Sequence, residues 1–277
     1  MGRTLHSHWI LIFLSIVLFS LSDTALAQFT QEELARRPEI EKQLKDAEII
    51  RAQEIGEGVT HPYRLFLMCD EGELSGCWKN PQGMSKGYLE GWQYEIAAYE
   101  MDKLLGLYMI PPTVEREYGG KKGSFQFWIT GGMSDLDRSE EGLEIPKNKI
   151  PNWNQRKYLQ RAFDCLIGNE DRTQQNIRYT DDWRMILIDH SRGFRSSPKY
   201  TEHLMYGTEG IKEQKLIRML PRFFVEKIRS LDYDSVKEAV GPYLTEKEID
   251  AILKRKHLLL EEIGKMIDSV GEAKFLY

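Results

Sequence analysis

Three side chains near the middle of the chain, Asp171, Asn176 and Asp189, have the types and spacing of a phosphoryl-transfer site. Asp171 stands in a polar loop, 168–176, that comes after a predicted helix, and Asn176 is five positions later. Asp189 ends the second strand, 185–188, of a short hairpin that turns at Asp181-Asp182. In such a layout one carboxylate orients and deprotonates an acceptor hydroxyl. An amide and a second carboxylate hold the metal that bridges the nucleotide phosphates. Asp171 is therefore the candidate catalytic base, and Asn176 and Asp189 are the candidate metal ligands. Singly, each has a plainer reading, because Asp and Asn cap turns by bonding their own backbone. What favours chemistry is their order relative to charged residues upstream.

Upstream, β-type runs at 49–55, 63–69 and 74–79 are separated by glycines and predict three antiparallel strands. Gly56 and Gly58 fall at the first turn, where backbone N–H groups can approach a phosphate without a Cβ in the way. A plain hairpin turn explains the same pair equally well. Lys79 ends the third strand, the place where kinases keep the lysine that contacts the α- and β-phosphates. In the segment 88–106, Trp92, Ile96, Tyr99, Leu104 and Leu105 recur at helical spacing, with Glu95 at the apolar edge. A carboxylate there is costly to desolvate without a cation, and Lys79 is the natural one; Glu100 is the competing candidate. Gly56, Gly58, Lys79 and Glu95 thus form the candidate ATP-binding set. Two more strands, 113–117 and 124–129, complete a small lobe.

The elements around these residues divide the chain into four parts. Residues 1–27 read as a signal peptide: Arg3, an apolar run at 9–21 too short to span a bilayer comfortably, and Ala25-x-Ala27 as cleavage site. An uncleaved anchor is the alternative. Residues 28–46 form a helical extension opened by the capping box Thr30-x-x-Glu33 and disturbed at Pro38, a surface brace on the adjoining strand-rich lobe. Residues 47–130 make that lobe. Residues 131–277 begin with a breaker-rich hinge, 131–146, and continue as a mostly helical lobe with apolar stripes at 154–167, 216–228 and, after the capping box Thr245-x-x-Glu248, 249–263.

Composition narrows the function classes. With 41% hydrophobic and 29% charged residues and a net charge of −5, the chain has the makeup of a soluble globular protein and no basic stripe for nucleic acid. No segment after the leader is long and apolar enough for a membrane span. The expected location is the periplasm, the extracellular space or a secretory lumen. There Cys69 and Cys77, flanking the turn at 70–72, can pair as a disulfide or remain small buried groups. Cys165 reads as core. The scattered histidines and cysteines have no zinc spacing.

Several stretches, in the right order, resemble one family. Residues 95–114, EIAAYEMDKLLGLYMIPPTV, are similar to the helix and following strand of the secretory-pathway kinases. These are the group of the Golgi casein kinase, the proteoglycan xylose kinase and four-jointed, with their bacterial relatives. GNEDR at 168–172 resembles the family's catalytic loop. DHSRGF at 189–194 resembles its metal-binding stretch, usually Asp-Asn-Gly-Arg-Gly-Phe. The resemblance implies an α+β, two-lobed atypical protein-kinase-like fold, with ATP and Mg²⁺ or Mn²⁺ as cofactors. It also implies phosphate transfer to a hydroxyl of a secreted protein or glycan. Lys79 would hold the phosphates, Glu95 would orient Lys79 or reach the metal, Asp171 would be the base and Asp189 the metal ligand. Asn176 occupies the Asp-plus-five position of ordinary protein kinases and of the more distant phosphatidylinositol kinases.

The chain departs from the pattern in three ways. Thr173 stands where the Golgi members have histidine, and His190-Ser191 replaces Asn-Gly, which removes a glycine from the metal loop. The dense disulfides of the animal enzymes are absent, favouring a compact bacterial-type relative. No required acid or base is lost. Two other outcomes use the same fold: a pseudokinase that regulates a partner, and an AMP transferase.

Overall fold

A computed structural model describes residues 29–56, 61–212 and 217–277. The leader at 1–27 and Gly58 lie outside the described residues.

Thr30 opens the first helix, α1 (Gln31–Asp46), through the expected reciprocal capping box with Glu33. The helix is not interrupted at Pro38. Proline removes one N–H there, but Ile40 and Leu44 beyond it are buried against the sheet and hold the helix on course. Far from a surface brace, α1 supplies part of a core.

The five-stranded sheet comprises β1 (Glu48–Glu54), β2 (Tyr63–Cys69), β3 (Gly72–Lys79), β6 (Thr113–Tyr118) and β7 (Lys121–Phe127). It is antiparallel throughout, in the order β1-β2-β3-β7-β6. Leu65, Leu67, Trp78, Val114 and Phe125 pack against α1 from one face. Because strand side chains alternate, Trp78 on that face sends its neighbours Cys77 and Lys79 to the other.

The turn between β2 and β3 sets Cys69 opposite Gly72 and Cys77 opposite Arg64. The two thiols are free, and the disulfide pairing does not form. Five register positions separate them, about 17 Å along a strand, against the roughly 7 Å a disulfide tolerates between Cα atoms.

Between β3 and the next helix lies a hairpin, β4 (Gln82–Ser85) with β5 (Tyr88–Gly91). Residues 88–91 are thus strand, and helix α2 (Trp92–Leu105) begins at the first residue of the apolar spacing, inside the segment 88–106. Gly91 is its N-cap, and the Gly91 N–H donates to the Ser191 carbonyl (3.0 Å), tying the helix start to the segment 189–194. The helix is buried on most of its circumference, between the sheet and the helical lobe.

The connection between the lobes is more ordered than its composition suggests. It holds β8 (Met133–Ser134) and α3 (Asp135–Glu140), the latter opened by a Ser134–Asp137 capping box. Helix α4 (Ile150–Ile167) comes next, then the hairpin β9 (Ile177–Tyr179) and β10 (Met185–Leu187), which with β8 makes a second sheet. The remainder is helical: α5 (Pro198–Glu202), α6 (Arg222–Ser230), α7 (Tyr233–Val240), α8 (Glu246–Val270) and α9 (Glu272–Phe275). Phe163, Leu166, Phe224, Ile252 and Leu259 belong to the core shared by these helices and α2. Arg184 of the hairpin pairs with Glu33 of α1 at 2.6 Å, linking the two lobes. Among the described residues no helix is long and apolar enough to cross a membrane.

Candidate active site

Lys79 and Glu95 meet because β3 ends where α2 begins. Lys79 Nζ lies 2.9 Å from Glu95 Oε1 and 3.1 Å from Asp189 Oδ1, joining residues 110 positions apart in the chain. Glu100, the competing partner, instead pairs with Lys103 on its own helix (3.0 Å). Burial works against the Lys79 charge, but Asp189 and Glu95 outweigh it and hold the ammonium well above its usual range. Glu95, 2% exposed, is likewise opposed by burial; Lys79, then His190, hold it ionised below the usual carboxylate range. Its second oxygen accepts the His190 backbone N–H at 2.9 Å.

Asp189 lies just past β10 with φ +58°, a left-handed conformation uncommon outside glycine but accessible to Asp. Its Oδ1 also accepts from Ser191 Oγ (3.2 Å), and the side chain remains 39% exposed to the cleft. Asp171 is held by its backbone N–H, which donates to Asn169 Oδ1 (3.1 Å), and by Arg192 Nη1, 3.2 Å from its Oδ2. Partial burial raises the Asp171 pKa; Arg192 opposes the shift and the nearby Asp189 charge adds to it. Arg192 is itself gripped by Glu90 of β5 (2.6 and 2.8 Å) and stacks over Tyr88. Asn176 donates its amide to the Asp171 carbonyl (2.8 Å), which closes the loop and leaves its side-chain oxygen as the acceptor end.

The loop is fixed from beneath by residues that spacing alone does not single out. Arg172 engages buried Asp164 through Nε and Nη2, both at 3.0 Å. Its Nη1 donates to the carbonyls of Asn176 (2.9 Å) and Ile188 (2.8 Å). Gly168 ends α4 at φ +62°, where a Cβ would come 2.8 Å from the Arg255 guanidinium carbon. Arg255, fully buried on α8, donates to the Leu166 carbonyl (2.8 Å) and to the Arg195 carbonyl, so a cation caps the helix end. Its pKa is lowered by burial to about 9. Arg255 occupies the apolar stripe between Ile252 and Leu259, and that anomaly is the sequence signal for it. Asp164, flanked by Phe163, Cys165 and Leu166, carries a similar one.

Of the glycine pair, Gly56 has open space around the position of a Cβ and does not have positive φ, so nothing in its surroundings requires glycine.

A cavity of about 110 Å³ adjoins Lys79, between β3 and Phe127, Trp128 and Ile129 above and Arg178 and Ile188 below. A larger one, about 410 Å³, lies between α1 and that same connecting strand and contains neither Lys79 nor Asp189. Size alone would select the second; the convergence of charges selects the first as the candidate nucleotide cleft.

Among the described residues no three His, Cys, Asp or Glu side chains gather as a metal cage. Asp189 and Asn176 carry hard oxygen donors of the kind Mg²⁺ takes alongside phosphates and water, and the Ile188 N–H bond to the Asn176 carbonyl (3.1 Å) brings their segments together.

No protein-family model matches the sequence. No curated protein matches it. Solved structures do. Hydra Fam20, determined with sugar, aligns with a TM-score of 0.65 over 90% of this chain and 94% of its own, at 15% identity. The Golgi casein kinase with Mn/ADP bound aligns at 0.62 over 91% and 80%, with 13% identity. The fold is that of a Fam20-like atypical kinase. The Helicobacter pylori proinflammatory kinase CtkA shares it more loosely, with TM-score 0.52 over 82% of this chain and 96% of its own, at 12% identity. In this kinase fold the sheet lobe carries Lys79 and the segment 189–194 lies across the cleft from it.

Proposed function

We propose that the protein is an exported kinase that transfers the ATP γ-phosphate to a hydroxyl of a secreted protein or glycan. The observation that carries the reading is Lys79 Nζ lying between Glu95 (2.9 Å) and Asp189 (3.1 Å) inside a kinase fold. One ammonium faces two carboxylates, with the Asp171 carboxylate also felt at the cleft. That surplus of negative charge suits a site completed by a divalent cation.

In this reading Lys79 binds the α- and β-phosphates, and Glu95 keeps the ammonium aimed at the cleft. Asp189 and Asn176 would hold Mg²⁺ or Mn²⁺, which supplies charge neutralisation between the β- and γ-phosphate oxygens. Asp171 accepts the proton of the acceptor hydroxyl, and Arg192 keeps that carboxylate ionised and fixed until the acceptor arrives. The raised pKa of Asp171 makes it a better proton acceptor than an ordinary aspartate.

The test is incubation with cell-envelope extract, Mn²⁺ and ATP labelled at either the α- or the γ-phosphate. Incorporation of the γ-label by wild type and its loss in Asp189→Ala is the expected result. Incorporation of the α-label would instead mark an AMP transferase. Nucleotide binding with neither label transferred would mark a regulator of a partner.

A further inference from the structure

His190 stands where the resembling family has asparagine, and it is fully buried beneath the cleft. Its ring meets the edge of Phe163 (centroids 6.4 Å, 79°) and lies between Arg172 on one side and Glu95 on the other. Arg172 Nη2 is 2.8 Å from His190 Nε2. A guanidinium donates only and does not give up its proton in a protein, so the Nε2 lone pair must be the acceptor. The imidazole is then neutral and its single proton is on Nδ1. Nδ1 has no hydrogen-bond partner among the described residues, and the nearest carboxylate oxygen, Glu95 Oε2, is 3.7 Å away. The same oxygen already accepts the His190 backbone N–H.

We propose that His190 is a positioning residue whose Nδ1–H, aimed by Arg172, completes the anchorage of Glu95 when Lys79, still held by Glu95, shares its charge with a bound phosphate. Closing the gap requires a movement of about 0.8 Å to reach ordinary hydrogen-bond length. Once Lys79 shares its charge with phosphate, Glu95 is a buried carboxylate with less compensation, and the imidazole N–H is the donor at hand. Burial, and after it the Arg172 charge, disfavours the imidazolium, in agreement with the geometry. The chain Asp164–Arg172–His190–Glu95–Lys79 thereby runs from the end of α4, under the catalytic loop, to the sheet lobe. The kinetic meaning of this link rests on the kinase reading, but its geometry does not.

Two measurements on the full chain test it. In a long-range ¹H–¹⁵N spectrum of histidine-labelled protein, His190 should show a protonated Nδ1 and a bare Nε2, and the Nδ1 resonance should move in Glu95→Gln. A protonated Nε2, or no response to Glu95→Gln, overturns the proposal even if every His190 variant fails to fold. Calorimetry with Mn²⁺–ADP should then show affinity falling about tenfold in His190→Phe, the scale of one lost hydrogen bond to a charged group. His190→Asn, which restores an N–H at the Nδ1 position, should recover most of it. Unchanged affinity in a folded His190→Phe overturns the positioning role. Equal losses in Phe and Asn variants, tracking melting temperature, would mark a purely structural role and also overturn it. Wild-type protein that binds no Mn²⁺–ADP overturns the kinase reading itself, and the spectrum tells the two failures apart.

Discussion

Two buried ion-pair systems flank the cleft, and they differ in how completely they are satisfied. Below it, Arg172 uses its guanidinium on Asp164, two loop carbonyls and His190, and the pair is almost wholly removed from solvent (2% and 0% exposed). Above it, Lys79 serves two carboxylates at once, and one of them, Asp189, remains open to solvent. The first arrangement leaves little for a ligand to add. The second has more negative than positive charge at short range and gains from a cation or from a rearrangement of the lysine. The contrast separates scaffold from site without reference to any relative.

The sharpest way to break the comparison is Asp189→Ala. Phosphoryl transfer should fall about a thousandfold or more, the scale of losing transition-state charge stabilisation, while the urea midpoint moves little. A large stability loss with retained transfer would place Asp189 in the scaffold. Arg172→Met should do the reverse. It leaves Asp164 buried and unpaired, so an unfolding free energy lower by about 3–5 kcal/mol is expected from denaturant titration. Gly168→Ala probes the support beneath that pair. The positive φ and the contact with Arg255 together should cost about 2 kcal/mol, measurable in the same titration.

The smallest expected effect sharpens the open side. Asp171 must be ionised to act as base, so activity falls on the acid side as it protonates. Burial raises its pKa and Arg192 lowers it. Removing that cation in Arg192→Met raises the pKa further, and the acid limb of the rate profile should shift to higher pH. A shift to lower pH, or none, would separate Arg192 from the base.

Much of this was legible in the sequence because it rests on short-range rules. Alternation marked out β2 and β3, and the boxes at Thr30 and Thr245 started α1 and α8 where expected. Lys79 and Glu95 could be paired in advance because a carboxylate at a helix's apolar edge needs a cation. The hairpin at 82–91 returns the chain to the strand end, where the Trp92 N–H donates to the Pro81 carbonyl (2.9 Å). The misreadings have a common physical source. Residues 88–91 group with the helical segment although its apolar spacing starts at Trp92, and cross-strand pairing with 82–85, a tertiary choice, makes them strand. The disulfide expectation considered proximity along the chain and not register, which the turn sets. Arg255 and His190 were hidden for another reason: a buried polar residue is meaningful only through its partners, and those lie 89 positions away at Leu166 and 95 at Glu95. At Gly56 the surroundings neither require glycine nor block a phosphate, so residue type alone leaves the phosphate turn and the plain hairpin both open.

The contact between Glu33 and Arg184 carries a consequence for how the cleft breathes. It fastens α1 to the β9–β10 hairpin, and Glu33 is 43% exposed. Dissolved ions reach such a fastening readily, whereas the dry pair under the catalytic loop is shielded from them. Ionic strength therefore loosens this fastening more than the shielded pair beneath the loop, whose register stays put.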